Sequence, residues 1–133
     1  MAGLHDKERR GNTLAKGANS NRSKGTQYEE RAAEYLEAQG FRIIHKNFSS
    51  RFGEIDLVAR EGRYLVFVEV KYRATARGGH PLEAVDAGKR RRIRKTADFY
   101  CLRYGYGEDT PCRFDVVGML GDEVIHVRDA FER

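Results

Sequence analysis

The chain has 133 residues, 34% of them charged and 40% hydrophobic, with 25 Lys and Arg against 20 Asp and Glu and a formal net charge of +5. That length supports one domain with a sizeable core. No apolar run approaches the ~18 residues a membrane span needs, and no apolar h-region opens the chain. The expected setting is therefore cytoplasmic, with reduced thiols and no membrane partner.

The two cysteines, Cys101 and Cys112, have no metal-type spacing and no second pair, so a single disulfide between them stays open. Residues 1–24 hold six Lys and Arg against two acids, with Gly, Asn and Ser and almost no apolar side chains. Such a composition cannot build a core, and it predicts a disordered basic arm over 1–24 ahead of a domain over 25–133. Tyr28, Ala32, Ala33, Tyr35 and Leu36 then recur at helical spacing, which predicts a helix over about 27–39 ending at Gly40. Within it Glu29 supports two readings. Thr26-x-x-Glu29 fits a capping box, yet Glu29 also shares the inward stripe of Ala32, Ala33 and Leu36.

FRIIHKN (41–47) reads as a strand, and two more follow, GEIDLVAR (53–60) and RYLVFVEVKYR (63–73). They set Asp56, Glu69 and Lys71 in the order D-x12-E-x-K. A strand built mostly of Val and Phe has no folding reason to carry Glu and Lys in its middle, and burying a charge costs several kcal/mol unless it is compensated. A divalent cation compensates clustered carboxylates, and a cation beside a lysine points to phosphodiester chemistry. Alternation puts Leu65, Phe67, Glu69 and Lys71 on one face, and Glu54, Asp56 and Val58 together opposite Ile55, Leu57 and Ala59.

A two- or four-residue loop centred on Glu61-Gly62 pairs Asp56 with Phe67 and Glu54 with Glu69, leaving Asp56 and Glu69 diagonal, roughly 7–8 Å apart at the backbone, whereas a three-residue loop would put them on opposite faces. Asp56 and Glu69 are then candidate metal ligands, with the Val70 carbonyl as a third oxygen and Lys71 to hold the attacking water. The plainer reading is an exposed Glu–Lys pair, against which Leu65 and Phe67 on the same face argue. Glu54 is either an accessory ligand or a strand-start residue at the sheet end.

ATARGGHP (74–81) reads as a loop with a mobile point at Gly78-Gly79, followed by a short turn from Pro81 to Val85. Asp86 is placed to cap a helix running to about Tyr104 and stopped by Gly105. Ile93, Ala97, Tyr100 and Tyr104 form its buried stripe, and Lys89 extends that stripe toward the helix start, as a phosphate contact or as a snorkelling side chain. GKRRRIRK (88–95) concentrates six positive charges, suited to a polyanion or to a solvated helix face. CRFDVVGML (112–120) and EVIHVR (123–128) close the chain as strands, with Asp115 expected in an ion pair with Arg113 or another arginine. His45, His80 and His126 lack metal-type spacing and read as structural or exposed. The resulting order, α-β-β-β-α-β-β, is an α/β domain with a mixed sheet flanked by helices.

Gly25-x3-Glu29-x2-Ala32-x2-Tyr35-Leu36, G-F (40–41), N-F (47–48), G-E-I-D-L-V (53–58), V-F-V-E-V-K-x-R (66–73), A-V-x3-K (84–89) and R-F-D-V-V (113–117) resemble the YraN family, a bacterial family of endonuclease-like proteins. The resemblance covers about residues 25–131. That family is similar to the PD-(D/E)xK nucleases, with their restriction-endonuclease-like αβββαβ core, and most similar to archaeal Holliday-junction resolvases. Ile55 stands where the superfamily pattern has proline.

The resemblance implies catalytic roles for Asp56, Glu69 and Lys71, with Asp56 and Glu69 as metal ligands. It aligns Glu29 with the acidic residue of the resolvases' first helix, and Lys89 with a frequent basic position of the next. The implied activity is a Mg2+- or Mn2+-dependent DNA endonuclease. DNA, branched DNA by analogy, is the implied partner, received by Lys89, Arg90, Arg91 and Arg92, with Glu54 accessory. A homodimer would suit symmetric junction cleavage. The alternative is a non-catalytic nucleic-acid-binding protein that retains the nuclease fold.

Overall fold

The structure, a computed structural model, describes residues 20–73 and 85–133, with side chains from residue 27 onward. Residues 1–19 of the expected arm, the loop 74–80 with Gly78-Gly79 and His80, and the turn expected over 81–84 lie outside the described residues.

Helix α1 spans Ser20–Ala38, so it begins well before residue 27, and residues 20–24, expected as the end of the arm, belong to it. Gly25 is tolerated inside it at a cost of about 1 kcal/mol. Its far end follows the sequence reading. Gly40 has φ +98, the Phe41 N–H donates to the Leu36 carbonyl at 2.9 Å, and the Gly40 N–H donates to the Glu37 carbonyl at 3.0 Å. This pair of bonds is a Schellman stop, which needs a residue free to take a left-handed backbone.

Strands β1 (Arg42–Ser50), β2 (Gly53–Glu61) and β3 (Tyr64–Arg73) form an antiparallel meander. Helix α2 (Ala87–Tyr104) crosses over to β4 (Cys112–Leu120), which pairs with β3 in parallel, and β5 (Glu123–Phe131) returns antiparallel. The five strands stand in the order β1-β2-β3-β4-β5. Local hairpins and one helical crossover produce this mixed sheet, because parallel strands cannot be joined by a tight turn.

One helix covers each face. Ala32, Ala33 and Leu36 of α1 pack on Leu57, Ala59, Val66, Val68, Val117 and Met119. Ile93, Ala97 and Tyr100 of α2 pack on Phe48, Val58, Leu65, Phe67, Phe114 and Val116. This two-sided cover is why Leu65 to Val68 are all buried and read as a continuous apolar run. The Tyr100 ring centres the second layer, with Tyr104, Phe48 and Phe67 centroids at 4.6, 4.9 and 5.7 Å.

The hairpin register differs from expectation. Glu61 pairs with Tyr64, so the loop is Gly62-Arg63, and Val58 rather than Asp56 lies opposite Phe67. The shift is two positions, and therefore preserves which face each residue occupies. Glu61 stays in the strand because Arg113 and Arg128 hold its carboxylate, at 2.8 and 2.6 Å. Alternation nevertheless breaks beside Asp56. Ile55 packs in the layer under α2, whereas Leu57 and Ala59 pack under α1.

Candidate active site at the end of the β2–β3 ladder

The β2–β3 pairing runs from Glu61↔Tyr64 to Leu57↔Val68 and ends one position short of Asp56 and Glu69. With the ladder ended there, the Val70 N–H finds another acceptor and donates to Asp56 Oδ2 at 2.7 Å. The carboxylate thus replaces a main-chain partner and is fixed against β3. Glu69 is buried at 6% exposure and receives two ammonium groups on the same oxygen, with Lys89 Nζ at 2.7 Å and Lys71 Nζ at 3.2 Å. The face shared by Glu69 and Lys71, and the inward position of Lys89, are as the spacing implied.

The α2 start is held in place locally. Asp86, in extended backbone, caps the helix by accepting from the Lys89 N–H at 2.9 Å. Gly53, at φ +148, opens β2 beneath the helix, and a Cβ there would lie 3.4 Å from Thr96 Oγ1. Only glycine takes that backbone without strain. Between sheet and helix lies a cleft of about 200 Å³, lined by Gly53, Glu54, Asp56 and Glu69 on one side and Lys89, Arg92 and Ile93 on the other.

Burial, and then the Glu69 charge, push the Asp56 carboxyl up to about 8, against the pull of the Val70 N–H and of Lys89. Glu29 is raised by burial and by the charges of Glu54 and Glu69, while a hydrogen bond with Asn47 opposes the shift. Burial, the contact with Lys89 and its charge hold Lys71 below the usual lysine range, against the pull of Glu69. Burial works against the Lys89 ammonium, but its bonds to Glu69 and Lys71 outweigh it and raise its pKa.

Glu29 therefore sits in α1 within electrostatic reach of the acids on the sheet. The capping-box reading fails, because α1 begins at Ser20 and Glu29 lies in its interior. The Tyr28 and Tyr72 rings stack with centroids 4.0 Å apart and fix α1 against β3 beside Glu29 and Lys71. Glu54 is exposed at the rim of the cleft.

The basic run divides by role. Arg90 Nε donates to the Val85 carbonyl at 2.8 Å, and its guanidinium lies 5.5 Å from the Phe131 ring centre. Arg94 donates to the Glu132 carbonyl at 2.7 Å and also packs on Phe131. Arg91 and Arg92 are exposed, and only Arg92 of the two lines the cleft.

Sequence reasoning missed Asn47 and Gly53. Asn47 has φ +56, a conformation asparagine tolerates better than most, and its side chain bonds Glu29. Gly53 stands beside Glu54, as small residues at many strand ends stand beside an acid, and nothing adjacent to Asn47 in the chain marks its bond to Glu29.

On the opposite face of the sheet, level with Val68 of β3, Asp115 is ion-paired as expected. Arg113 Nε and Nη2 each reach it at 2.9 Å, His126 Nε2 lies at 2.8 Å, and the Asp129 N–H donates at 3.0 Å. Burial works to raise this carboxyl, but the bonds from His126 and Arg113 hold it below the ordinary carboxylate range. His126 is buried there with a structural part, and His45 is buried among Phe48, Tyr100 and Tyr104.

Among the described residues, no group of three or more His, Cys, Asp or Glu side chains is gathered closely enough to hold a metal ion alone. The donor set on offer is the Asp56 and Glu69 pair. In type it suits a small hard cation such as Mg2+, which takes one or two carboxylates and keeps several waters. Among the same residues, no helix is long and apolar enough to cross a membrane.

Fold and cleft together define a mixed α/β domain that carries an acid–lysine cluster where the central hairpin opens. The chain belongs to the uncharacterised protein family UPF0102, the YraN family, whose model matches residues 28–119. It is 51% identical over 108 residues to a UPF0102 protein of Lachnoclostridium phytofermentans, covering 81% of this chain and 92% of that one. It is 40% identical over 116 residues to one of Nitrosococcus oceani, covering 84% and 94%. A UPF0102 protein of Symbiobacterium thermophilum is 55% identical over 89 residues, covering 67% and 75%.

Proposed function

We propose that this protein is a Mg2+- or Mn2+-dependent DNA endonuclease built on a restriction-endonuclease-like core. The observation that supports this reading is the convergence of Asp56, Glu69 and Lys89 in one cleft, with Lys71 on the Glu69 carboxylate beside it, where the Asp56 carboxyl is pushed up to about 8. A carboxyl driven toward protonation by burial, and then by the charge of the Glu69 beside it, favours a multivalent cation at that spot, and such a site costs stability unless it has a use.

Asp56 and Glu69 would hold the ion, with Glu29 and Glu54 as further acids at the margin. When bound, the cation supplies Lewis-acid polarisation of a phosphate oxygen and acidifies water. Lys89 Nζ, held cationic by Glu69, meets a non-bridging phosphate oxygen at the helix start, and Arg92 extends that contact along the backbone. Lys71, with its pKa drawn below the usual lysine range by burial and by Lys89, positions the attacking water and takes up its proton. The water oxygen bonds to phosphorus as the P–O bond to the leaving sugar oxygen breaks, and the leaving oxygen takes up a proton.

The second reading is a non-cleaving nucleic-acid-binding protein of the same fold. It draws on the two lysines that already satisfy Glu69 and on the exposed Arg91 and Arg92.

The test is cleavage of labelled duplex, single-stranded, flap and four-way-junction DNA with Mg2+, with Mn2+ and with EDTA. The expected result is metal-dependent cutting, lost by at least ~100-fold in Asp56→Ala and Lys71→Ala. Salt-sensitive binding of every DNA without cutting, unchanged in Asp56→Ala, overturns the enzyme and leaves the binding protein. A stoichiometry of two chains per junction would show that the active form is the homodimer.

A further inference from the structure

Far from the cleft, the last turn of α2 brings Cys101 against the first residue of β4, Cys112, with the two sulfurs 4.0 Å apart. Both thiols are free. Cys101 is buried at 5% exposure, whereas Cys112 is half-buried and reached by solvent. Both residues sit on well-anchored elements. Gly105, at φ +78, ends α2 with the Tyr106 N–H donating to the Cys101 carbonyl at 2.9 Å, and Cys112 pairs with Leu65 in the sheet. The connection between them is also tied down, since Arg133 Nη1 donates to the Thr110 carbonyl at 3.2 Å.

We propose that Cys101 and Cys112 are a peroxide-responsive thiol pair that closes to an intramolecular disulfide, with Cys112 as the attacking sulfur and Cys101 as the resolving one. The exposure gradient assigns the roles, because Cys112 is the more open of the two to a small oxidant. Electrostatics agrees. The contact with the Cys101 sulfur is the largest influence on Cys112 and lowers its pKa to about 7 against the effects of burial and of Asp98, with Arg133 and Arg60 adding to the drop. The same contact, with burial, raises Cys101.

The Cys112 thiolate attacks hydrogen peroxide, so that an S–O bond forms as the O–O bond breaks and the departing hydroxide leaves as water with the thiol's proton. Cys101 then attacks the sulfenic sulfur. The S–S bond forms, the S–O bond breaks, and the hydroxyl leaves as a second water with the Cys101 proton. The pair loses two electrons to one peroxide. Reaching a disulfide requires the sulfurs to close from 4.0 Å to a bond of about 2 Å, within the swing of two side-chain torsions.

The result is a clasp joining the C-terminal end of α2 to β4. It lies twelve residues along the helix from Lys89, roughly 18 Å at 1.5 Å per residue. The thiol chemistry therefore does not depend on the nuclease reading.

The test is exposure of the full chain to stoichiometric hydrogen peroxide, then N-ethylmaleimide, with intact mass and non-reducing peptide mapping. The expected product has lost two hydrogens, carries no maleimide and yields one linked peptide pair spanning Cys101 and Cys112. Dithiothreitol should restore two maleimide adducts. Cys101→Ser should stop at a dimedone-reactive sulfenic acid on Cys112, and Cys112→Ser should leave Cys101 oxidising at least ~10-fold more slowly than Cys112 does in the wild type. Two maleimide adducts after peroxide, linkage only between separate chains, or equally fast oxidation of Cys101 in Cys112→Ser would each overturn the proposal.

Discussion

Asp56 carries the greatest electrostatic burden in the cleft, and that burden has a direction in pH. Its folded pKa of about 8 stands above the ordinary 3.8, so the folded chain holds this proton more tightly than the unfolded chain does. The stability it contributes is fully present below about pH 4 and is lost as pH rises toward 8. In EDTA, Asp56→Asn should therefore be the more stable protein at pH 9 by about 1–3 kcal/mol, discounted for the water that reaches the site, and nearly equal at pH 4. Urea midpoints at the two pH values check this, and an unchanged pH slope in the variant would place the burden elsewhere. Asp115 behaves in the opposite way, because its charge is matched. Arg113→Met leaves that carboxylate buried at 1% exposure without its bidentate partner, and should cost about 3 kcal/mol in the same measurement at pH 7.

Helix α2 shows which features of an element its own residues decide. Its cap Asp86 and its stop Gly105 were both legible in the sequence, because capping is settled within one turn by side-chain chemistry and backbone freedom. Asp86→Ala and Gly105→Ala should each cost about 1 kcal/mol by denaturation, the first by freeing the Lys89 N–H and the second by forcing a Cβ into a left-handed backbone. The hairpin shows the limit of such reading. Asp56 and Glu69 were correctly placed on one face, since an even register error preserves alternation, but the pairing itself was set by partners far along the chain. Arg113 and Arg128, 52 and 67 residues away, keep Glu61 inside β2 and so fix the loop at Gly62-Arg63. Nor did the spacing foretell that Ile55 packs with Val58 rather than with Leu57. That break follows from the end of the ladder at Leu57 and from α2 bearing down on Gly53. The start of α1 escaped notice because its first turns lack the apolar stripe that marks the rest.

Charge is distributed so that acids line the cleft and cations surround the first turns of α2, an arrangement that the proposed function requires if a polyanion is to approach carboxylates that would otherwise repel it. The six charges of residues 89–95 are not equivalent in this field. Arg90 and Arg94 are tied to main-chain carbonyls and to Phe131, so they hold the C-terminal strand against the helix. Arg91 and Arg92 project into solvent on the same turn as Lys89. If they meet phosphates, each releases about 0.9 of a counterion, and the logarithm of the association constant for duplex DNA falls with that of salt accordingly. Measured in EDTA to suppress cutting, the double variant Arg91→Gln with Arg92→Gln should lower that slope by as much as about 1.8 and leave the urea midpoint within roughly 0.5 kcal/mol of wild type. Arg90→Gln should do the reverse, moving the midpoint by about 1 kcal/mol through the lost carbonyl bond and ring contact while sparing the slope. Parallel salt plots for the double variant and the wild type would mean that this turn faces no phosphate. Under the proposed function the DNA would then have to approach from another side of the cleft.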